Sequence, residues 1–208
     1  MKARARNCGY VQSSFHQSPS FWRGSGAARL IFACVSTVVF VLPTFSTAFG
    51  QSKDNSEYRV KLAFLYNFAQ FVQWPVDAFP QPAAPLTICV VGENPFDGEI
   101  EQSLRGRTIG GHPLKLIRLS PEMNPRSCQM IFVRAGEMKS AARFFALSRG
   151  SNTLTVGEAT DFAKRGGIIN LVKDENRLRF EINIEAAGQT RLKISSKLLS
   201  LARIVAKD

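Results

Sequence analysis

Residues 86–104, LTICVVGENPFDGEIEQSL, read as a buried strand, a short polar turn and a helix in immediate succession. LTICVVG at 86–92 is a continuous apolar run of strand type, preceded by the Pro-rich connector FPQPAAP at 79–85. Asn94 can cap a helix, Pro95 suits the first helical position and Asp97 lies three residues past the cap, as in a capping box. The pattern therefore predicts a helix over 94–104. A strand apolar on both sides that feeds a helix is the unit of a parallel sheet covered on its two faces.

The surrounding chain extends this alternation. QSKDNSE at 51–57 is a polar lead-in whose Asn55 or Ser56 caps the helix that follows. That helix contains LAFLYNFAQFVQWP at 62–75, which looks like a shortened membrane span until its faces are separated. At 100° per residue, Arg59, Gln70 and Gln73 fall within about 60° of one another, while Leu62, Phe64, Leu65, Phe68, Phe71 and Val72 occupy most of the remaining circumference. It reads as a nearly buried helix with one wet stripe, its apolar surface laid on a sheet. It ends at Trp74-Pro75, since a residue before Pro is pushed out of the helical region.

Downstream, TIGGH at 108–112 turns into the half-exposed strand PLKLIRL, and CQMIFVR at 128–134 is a buried strand. MKSAARFFALSRG at 138–150 is an amphipathic helix closed by Gly, NTLTVGE at 152–158 a further strand, and ATDFAKR a short helix. Gly166-Gly167 opens a hairpin of GIINLV and LRFEINI joined by KDENR; EAAGQTR is a polar turn region and SSKLLSLARIV a closing amphipathic helix. The expectation is one α/β domain: a mixed, mostly parallel sheet flanked by helices on both faces, with a C-terminal hairpin and a final helix. No internal repeat and no second domain is legible.

Residues 1–50 carry five basic residues (Lys2, Arg4, Arg6, Arg23, Arg29), no acidic residue and the apolar run LIFACVSTVVFVL at 30–42. This is the layout of a secretory leader, with Ser46, Ala48 and Gly50 as small residues for a cut between Ala48 and Ser52. The alternative is an uncleaved anchor, for which the run falls short of the roughly 20 residues of a span. Expected, then, are a leader over 1–50 and an exported domain over 51–208 with no stable membrane insertion after cleavage. Loss of the leader lowers the net charge from +11 to +6. What remains is not gathered into basic runs interleaved with aromatics, which argues against nucleic acid as a partner.

Cys8 and Cys34 leave with the leader, and the domain keeps Cys89 and Cys128. In an exported chain such a pair suggests one disulfide, closing a loop of about 40 residues worth roughly 3–4 kcal/mol; two buried thiols are the alternative. The histidines are His16 and a lone His112 in a Gly-Gly-His-Pro turn, so no metal or other cofactor is implied. Nor do dinucleotide, phosphate-loop or nucleophile-elbow spacings occur, and Glu99 and Glu101, two apart on a helix, face different ways. The polar turns after the strands place Glu93, Asn94, Arg134 and Glu158 where α/β sheets hold ligands, at the carboxyl ends of strands. The competing reading is that these four cap helices and pair with one another.

KLAFLYNFAQFVQWP, ICVVGENPF, GGIINLV, RFEIN and ISSKLLSLARIV, in that order, make the sequence from Tyr58 to Val205 resemble the YfiR family of bacterial periplasmic proteins. The resemblance implies an exported, non-enzymatic α/β protein, often a homodimer, that binds the periplasmic sensor region of an inner-membrane diguanylate cyclase and represses cyclic di-GMP synthesis, and with it biofilm matrix. Cys89 and Cys128 match one family disulfide in placement; a second pair found in some members has no counterpart here. The family's cyclase-contacting region corresponds to GGIINLV and LRFEINIEAA, which nominates Ile169, Glu181 and Ala187 as partner contacts. Alternatively Ile169 faces inward and Glu181 is satisfied by Arg177 or Arg179.

Overall fold

The computed structural model describes residues 51–206 apart from Asp97, Pro121 and Asn176. Helix α1 (Gln51–Phe71) leads into the two-residue strand β1 (Val72–Gln73). There follow β2 (Leu86–Val91), α2 (Glu99–Gln102), β3 (Thr108–Ile109), β4 (His112–Arg118), β5 (Met130–Val133), α3 (Met138–Ser148) and β6 (Leu154–Gly157). The chain continues through β7 (Ile169–Asp174), β8 (Arg177–Asn183), α4 (Ile184–Gly188), β9 (Lys193–Ile194), α5 (Ser196–Leu201) and β10 (Arg203–Val205).

Eight strands form one sheet in the order β10-β8-β7-β6-β5-β2-β4-β3. The five central strands, β4-β2-β5-β6-β7, are parallel, and β7–β8 and β3–β4 are antiparallel pairs at the two margins. In chain order the parallel strands lie second, first, third, fourth, fifth, the arrangement of a doubly wound sheet whose switch point falls between β2 and β5.

Strand alternation sends β2 to two cores. Leu86, Ile88 and Val90 join one, with Leu65 and Phe68 of α1, Ile100 of α2 and Leu198 of α5; Cys89 and Val91 join the other, with Ala141, Phe144 and Phe145 of α3. The sheet is thus covered on both faces, as expected for an all-buried β2. On the α1 face, Val90, Phe132, Val156, Ile169, Ile182 and Ile204 sit in register across six strands. Five of these six side chains are fully enclosed; Ile204, on the outermost strand, is 46% exposed.

Several element boundaries differ from the sequence expectation. The aromatic helix keeps its wet stripe at Arg59 and Gln70 but stops at Phe71, because Val72–Gln73 pairs antiparallel with Lys193–Ile194. The helix expected over 94–104 contracts to α2: Asn94 Oδ1 accepts from the Phe96 amide in a turn, and Gly98, at φ +69°, interrupts the backbone before Glu99. The capping contact expected of Asp97 lies outside the described residues. ATDFAKR is a series of turns wrapped round Phe162 instead of a helix, and EAAGQTR, expected as turn, contains α4, capped by the Asn183 side chain accepting from the Ala186 amide.

The largest correction is at the C-terminal end. SSKLLSLARIV is a single helix by periodicity, yet α5 ends at Leu201, Ala202 is extended, and Arg203–Val205 adds to the sheet parallel to β8. An unfilled sheet edge beside β8 offers backbone partners that a further helical turn would forgo, so tertiary pairing overrides the local pattern.

Candidate functional site

Glu93, Arg134 and Glu158 follow β2, β5 and β6 directly, so the parallel sheet delivers all three to one end, at the switch point. The N-terminal half of α1 passes over that end and contributes Glu57, Tyr58 and Lys61. Lys61 Nζ lies 2.6 Å from Glu158 Oε2 and 2.7 Å from Glu57 Oε1. Glu158 Oε1 accepts from the Tyr58 hydroxyl and from the Ala135 amide, each at 3.3 Å. Arg134 donates to Tyr58 Oη at 3.1 Å, approaches Glu93 Oε2 at 3.6 Å and lies against the Tyr58 ring. Asn94 stands beside this cluster in sequence, with its Oδ1 turned to the Phe96 amide.

The electrostatics follow from burial. Enclosure by protein opposes the Lys61 ammonium, but hydrogen bonds to Glu158 and Glu57 outweigh it and hold its pKa above the usual lysine value. Lys61 in turn lowers the Glu57 pKa, with help from Lys173 at 3.1 Å and against a smaller cost of burial. Desolvation likewise works against the Arg134 cation, and the hydrogen bond to Tyr58 together with the charges of Glu158 and Glu93 reverses it. Arg134 Nε is enclosed without a hydrogen-bond partner, 3.9 Å from Glu158.

The crevice where doubly wound folds hold ligands is therefore spanned by ion pairs. Of the nominated residues, Glu93, Arg134 and Glu158 meet in one network, the mutual pairing that was the competing reading to a ligand pocket. Tyr58, Lys61 and Glu57 were missed. Glu57 and Lys61 are spaced i, i+4, the signature of a helical ion pair, but Lys61 precedes a stretch dominated by aromatics and its burial came from the strand ends beneath.

Of the nominated partner contacts, Ile169 is 0% exposed, within the apolar row across the sheet. Glu181 is 3% exposed: Asn170 Nδ2 donates to it at 3.3 Å, and Arg203 pairs with it from the neighbouring strand. The pairing expected with Arg177 or Arg179 is corrected accordingly, since Arg179 pairs with Asp174 and Arg203 was assigned to a helix. Ala187, on α4, is half-buried. In this conformation Ile169 and Glu181 hold the β7–β8 margin from within, and neither presents its side chain to the surface.

Cys89 and Cys128 are joined by a disulfide, with Cα atoms 5.8 Å apart and both residues buried in the α3-side core. His112 stacks on Phe79 with ring centroids 3.5 Å apart and its Nδ1 lies 2.7 Å from the Ala84 carbonyl oxygen. Among the described residues no group of three or more His, Cys, Asp or Glu is gathered in metal-binding geometry, and no helix is long and apolar enough to cross a membrane.

No curated protein matches the chain. The YfiR/HmsC-like family model matches residues 58–203, from the tyrosine of the strand-end network to the arginine that pairs with Glu181. The match spans most of the chain and all five central parallel strands, and the protein belongs to the YfiR/HmsC-like family.

Proposed function

We propose that this protein is a non-enzymatic periplasmic regulator that binds the sensor region of an inner-membrane diguanylate cyclase and represses cyclic di-GMP synthesis. The observation that carries this reading is the family match across residues 58–203. The geometry is compatible with a protein that acts through contact: the strand-end crevice is occupied by its own ion pairs, and the buried disulfide suits an oxidising compartment. Cleavage of the leader between Ala48 and Ser52, export to the periplasm and homodimerisation belong to the same proposal. Ile169 and Glu181 would then act by shaping the partner surface, with Ala187 nearer to it.

The test is cellular cyclic di-GMP in the native host with and without the gene. Deletion raises it, and an exported copy, but not one lacking residues 1–50, restores the low level. An unchanged level across several growth conditions would remove repression from the account.

A second reading, a small-molecule module at Glu93, Asn94, Arg134 and Glu158, is favoured by one feature. Glu93, with a side chain 89% exposed, is a displaceable partner for Arg134, whose Nε is enclosed without a hydrogen bond. Arg134→Ala would leave repression intact if no ligand acts there. Selective loss of the response to a signal would mark the strand ends as a ligand site.

A further inference from the structure

The loop between β1 and β2, WPVDAFPQPAAP at 74–85, stands at the pole of the domain opposite the ion-pair network. Gln129, next to the start of β5, donates through Nε2 to the Ala78 carbonyl oxygen at 2.7 Å, and Asn152, two residues before β6, donates to Asp77 at 3.3 Å. The loop is thereby tied to the amino ends of the parallel strands, whereas Glu93, Arg134 and Glu158 follow their carboxyl ends. Val76, at 95% exposure, is the most exposed large apolar side chain among the described residues. Beside it Trp74, Phe79, Pro80 and Pro82, with His112, line an open cleft of about 360 Å³.

The loop is held in this shape. The Ala78 amide donates to the Pro75 carbonyl oxygen at 2.9 Å, closing a 3-10 turn over Val76–Ala78. Trp74 Nε1 donates to the Ala69 carbonyl oxygen at 2.9 Å, and Phe79 stacks on His112. Apolar side chains that fixed backbone holds away from their own core mark contact with an apolar medium. A protein surface would need a cavity shaped to receive Val76, whereas the interface of a bilayer receives it without one.

Charge selects the medium. Asp77, the one carboxylate in the loop, is paired with Arg191. Lys193, opposite Gln73 in the β1–β9 ladder, and Lys197, whose ammonium lies 5.4 Å from the Phe71 ring centroid, are both exposed. Neither forms an ion pair with a carboxylate among the described residues. Two copies meeting tip to tip would bring four such ammonium groups together and neutralise none. An anionic bilayer offers phosphates to the cations while Val76 and the neighbouring aromatic rings enter the interface beside them.

We infer that the β1–β2 loop docks the exported protein peripherally on an anionic phospholipid bilayer, with Val76 inserted and Lys193 and Lys197 against the headgroups. This rests on the exported placement within the regulator reading and not on the identity of the cyclase; it adds a second contact, to lipid, at the pole away from the strand-end network.

The experiment uses the full chain expressed with its leader and collected from the periplasm, with intact mass reporting loss of residues 1–50. The sequence has two tryptophans, Trp22 and Trp74, so the processed protein carries Trp74 alone and its emission reports on the loop itself. Vesicles of phosphatidylethanolamine and phosphatidylglycerol are compared with vesicles of phosphatidylcholine, by co-sedimentation, by Trp74 emission and by its quenching with brominated acyl chains. The expected result is binding to the phosphatidylglycerol vesicles that weakens with salt, a blue shift and quenching. Val76→Glu lowers binding by about tenfold or more at an unchanged melting temperature, with Val76→Ser in its place if that variant melts early. Lys193→Glu/Lys197→Glu removes the preference for phosphatidylglycerol, and Leu201→Glu, at a side chain 68% exposed elsewhere, binds as wild type does. No binding, or equal binding to phosphatidylcholine, overturns the inference and leaves repression to the cyclic di-GMP measurement. Vesicles that sediment the protein without moving Trp74 emission place the lipid contact elsewhere and overturn the loop. Conversion of a wild-type dimer to a monomer by Val76→Glu assigns the tip to a second copy. A chain recovered with residues 1–50 still attached overturns the exported reading and this inference together.

Discussion

Glu158 and Glu181 are both buried carboxylates, one at the switch point and one at the β7–β8–β10 margin, and they differ in what neutralises them. The Glu158 side chain is 7% exposed and its ammonium partner, Lys61, is 8% exposed. The Glu181 side chain is 4% exposed, but its guanidinium partner, Arg203, is 71% exposed. Removing either carboxylate from water carries a similar desolvation cost. The cation at the switch point is as enclosed as its anion and cannot be exchanged, whereas the cation at the margin stands in solvent and can be shared with an incoming group. The comparison teaches that a buried pair locks the base of the strand-end crevice, whereas the antiparallel margin keeps its cation accessible.

The largest effect should come from breaking the enclosed pair. Lys61→Met removes the close cation from the buried Glu158 carboxylate, leaving it the Tyr58 and Ala135 hydrogen bonds and the more distant Arg134, and is expected to cost about 3 kcal/mol in chemical denaturation, with Lys61→Met/Glu158→Gln recovering part of that loss. A single-variant cost below about 1 kcal/mol would place Glu158 in contact with water and dissolve the contrast. The pH dependence has a definite sign. Because the Glu57 pKa is lowered, its contribution is present above the ordinary glutamate range near 4.3 and is lost as pH falls through the depressed value. Because the Lys61 pKa is raised, its contribution is full below the ordinary lysine value near 10.4 and is lost as pH rises through the raised one.

Next in size is the disulfide. Cys89 lies on β2 and Cys128 two residues before β5, so the bridge ties together the two strands that flank the switch point, from the opposite face. Cys89→Ala/Cys128→Ala frees a loop spanning 39 positions and is expected to cost about 3–4 kcal/mol. Hydrogen exchange sharpens the comparison: protection should fall in β2 and β5, while β10, which has one paired side, exchanges readily with or without the bridge. Equal loss at β10 would mean that the margin and the switch point open as one unit.

How much of this was legible in the sequence depended on whether the deciding partner was local. The all-apolar run at 86–91, the i, i+3, i+4 face of α1 and the Gly-Gly turn into the β7–β8 hairpin fix their elements by period and turn chemistry, and the mostly parallel sheet follows from their alternation. Cys89 and Cys128, the two cysteines outside the expected leader, suggested one disulfide but left two buried thiols open, and the fold that joins them decides it. Elements decided by distant backbone were misread: β1 exists because β9 passes beside it, and β10 because β8 leaves an edge free. At the candidate site, Glu93, Arg134 and Glu158 were found because strand ends are predictable positions. Lys61 was not, because nothing in its own neighbourhood reports that a carboxylate 97 residues away lies beneath it.

At the margin, Glu181→Lys separates a surface role from a supporting one. The substitution sets an ammonium beside Arg203 and against Asn170 in a position that is 3% exposed, so the melting temperature should fall by several degrees in addition to any loss of partner capture. An unchanged melting temperature with weakened capture would place Glu181 directly in the partner interface and require the margin to open. The milder Glu181→Gln keeps a hydrogen-bonding group for Asn170 and releases Arg203, and it should lower the melting temperature less than Glu181→Lys does.

The smallest effect tests whether burial, and not distance, sets the value of these pairs. Arg59 and Glu99 meet at 2.7 Å, essentially the separation of Lys61 and Glu158, yet their side chains are 59% and 84% exposed. Water screens both charges, and holding two long side chains in one geometry costs entropy that offsets the attraction. Arg59→Ala is therefore expected to change stability by less than about 0.5 kcal/mol, read by the same denaturation experiment as Lys61→Met. A loss approaching that of Lys61→Met would show that Arg59 is held in the α1–α2 crevice more firmly than its exposure implies. The contrast between an exchangeable and a locked counterion would then have to be drawn from local rigidity instead of solvent access.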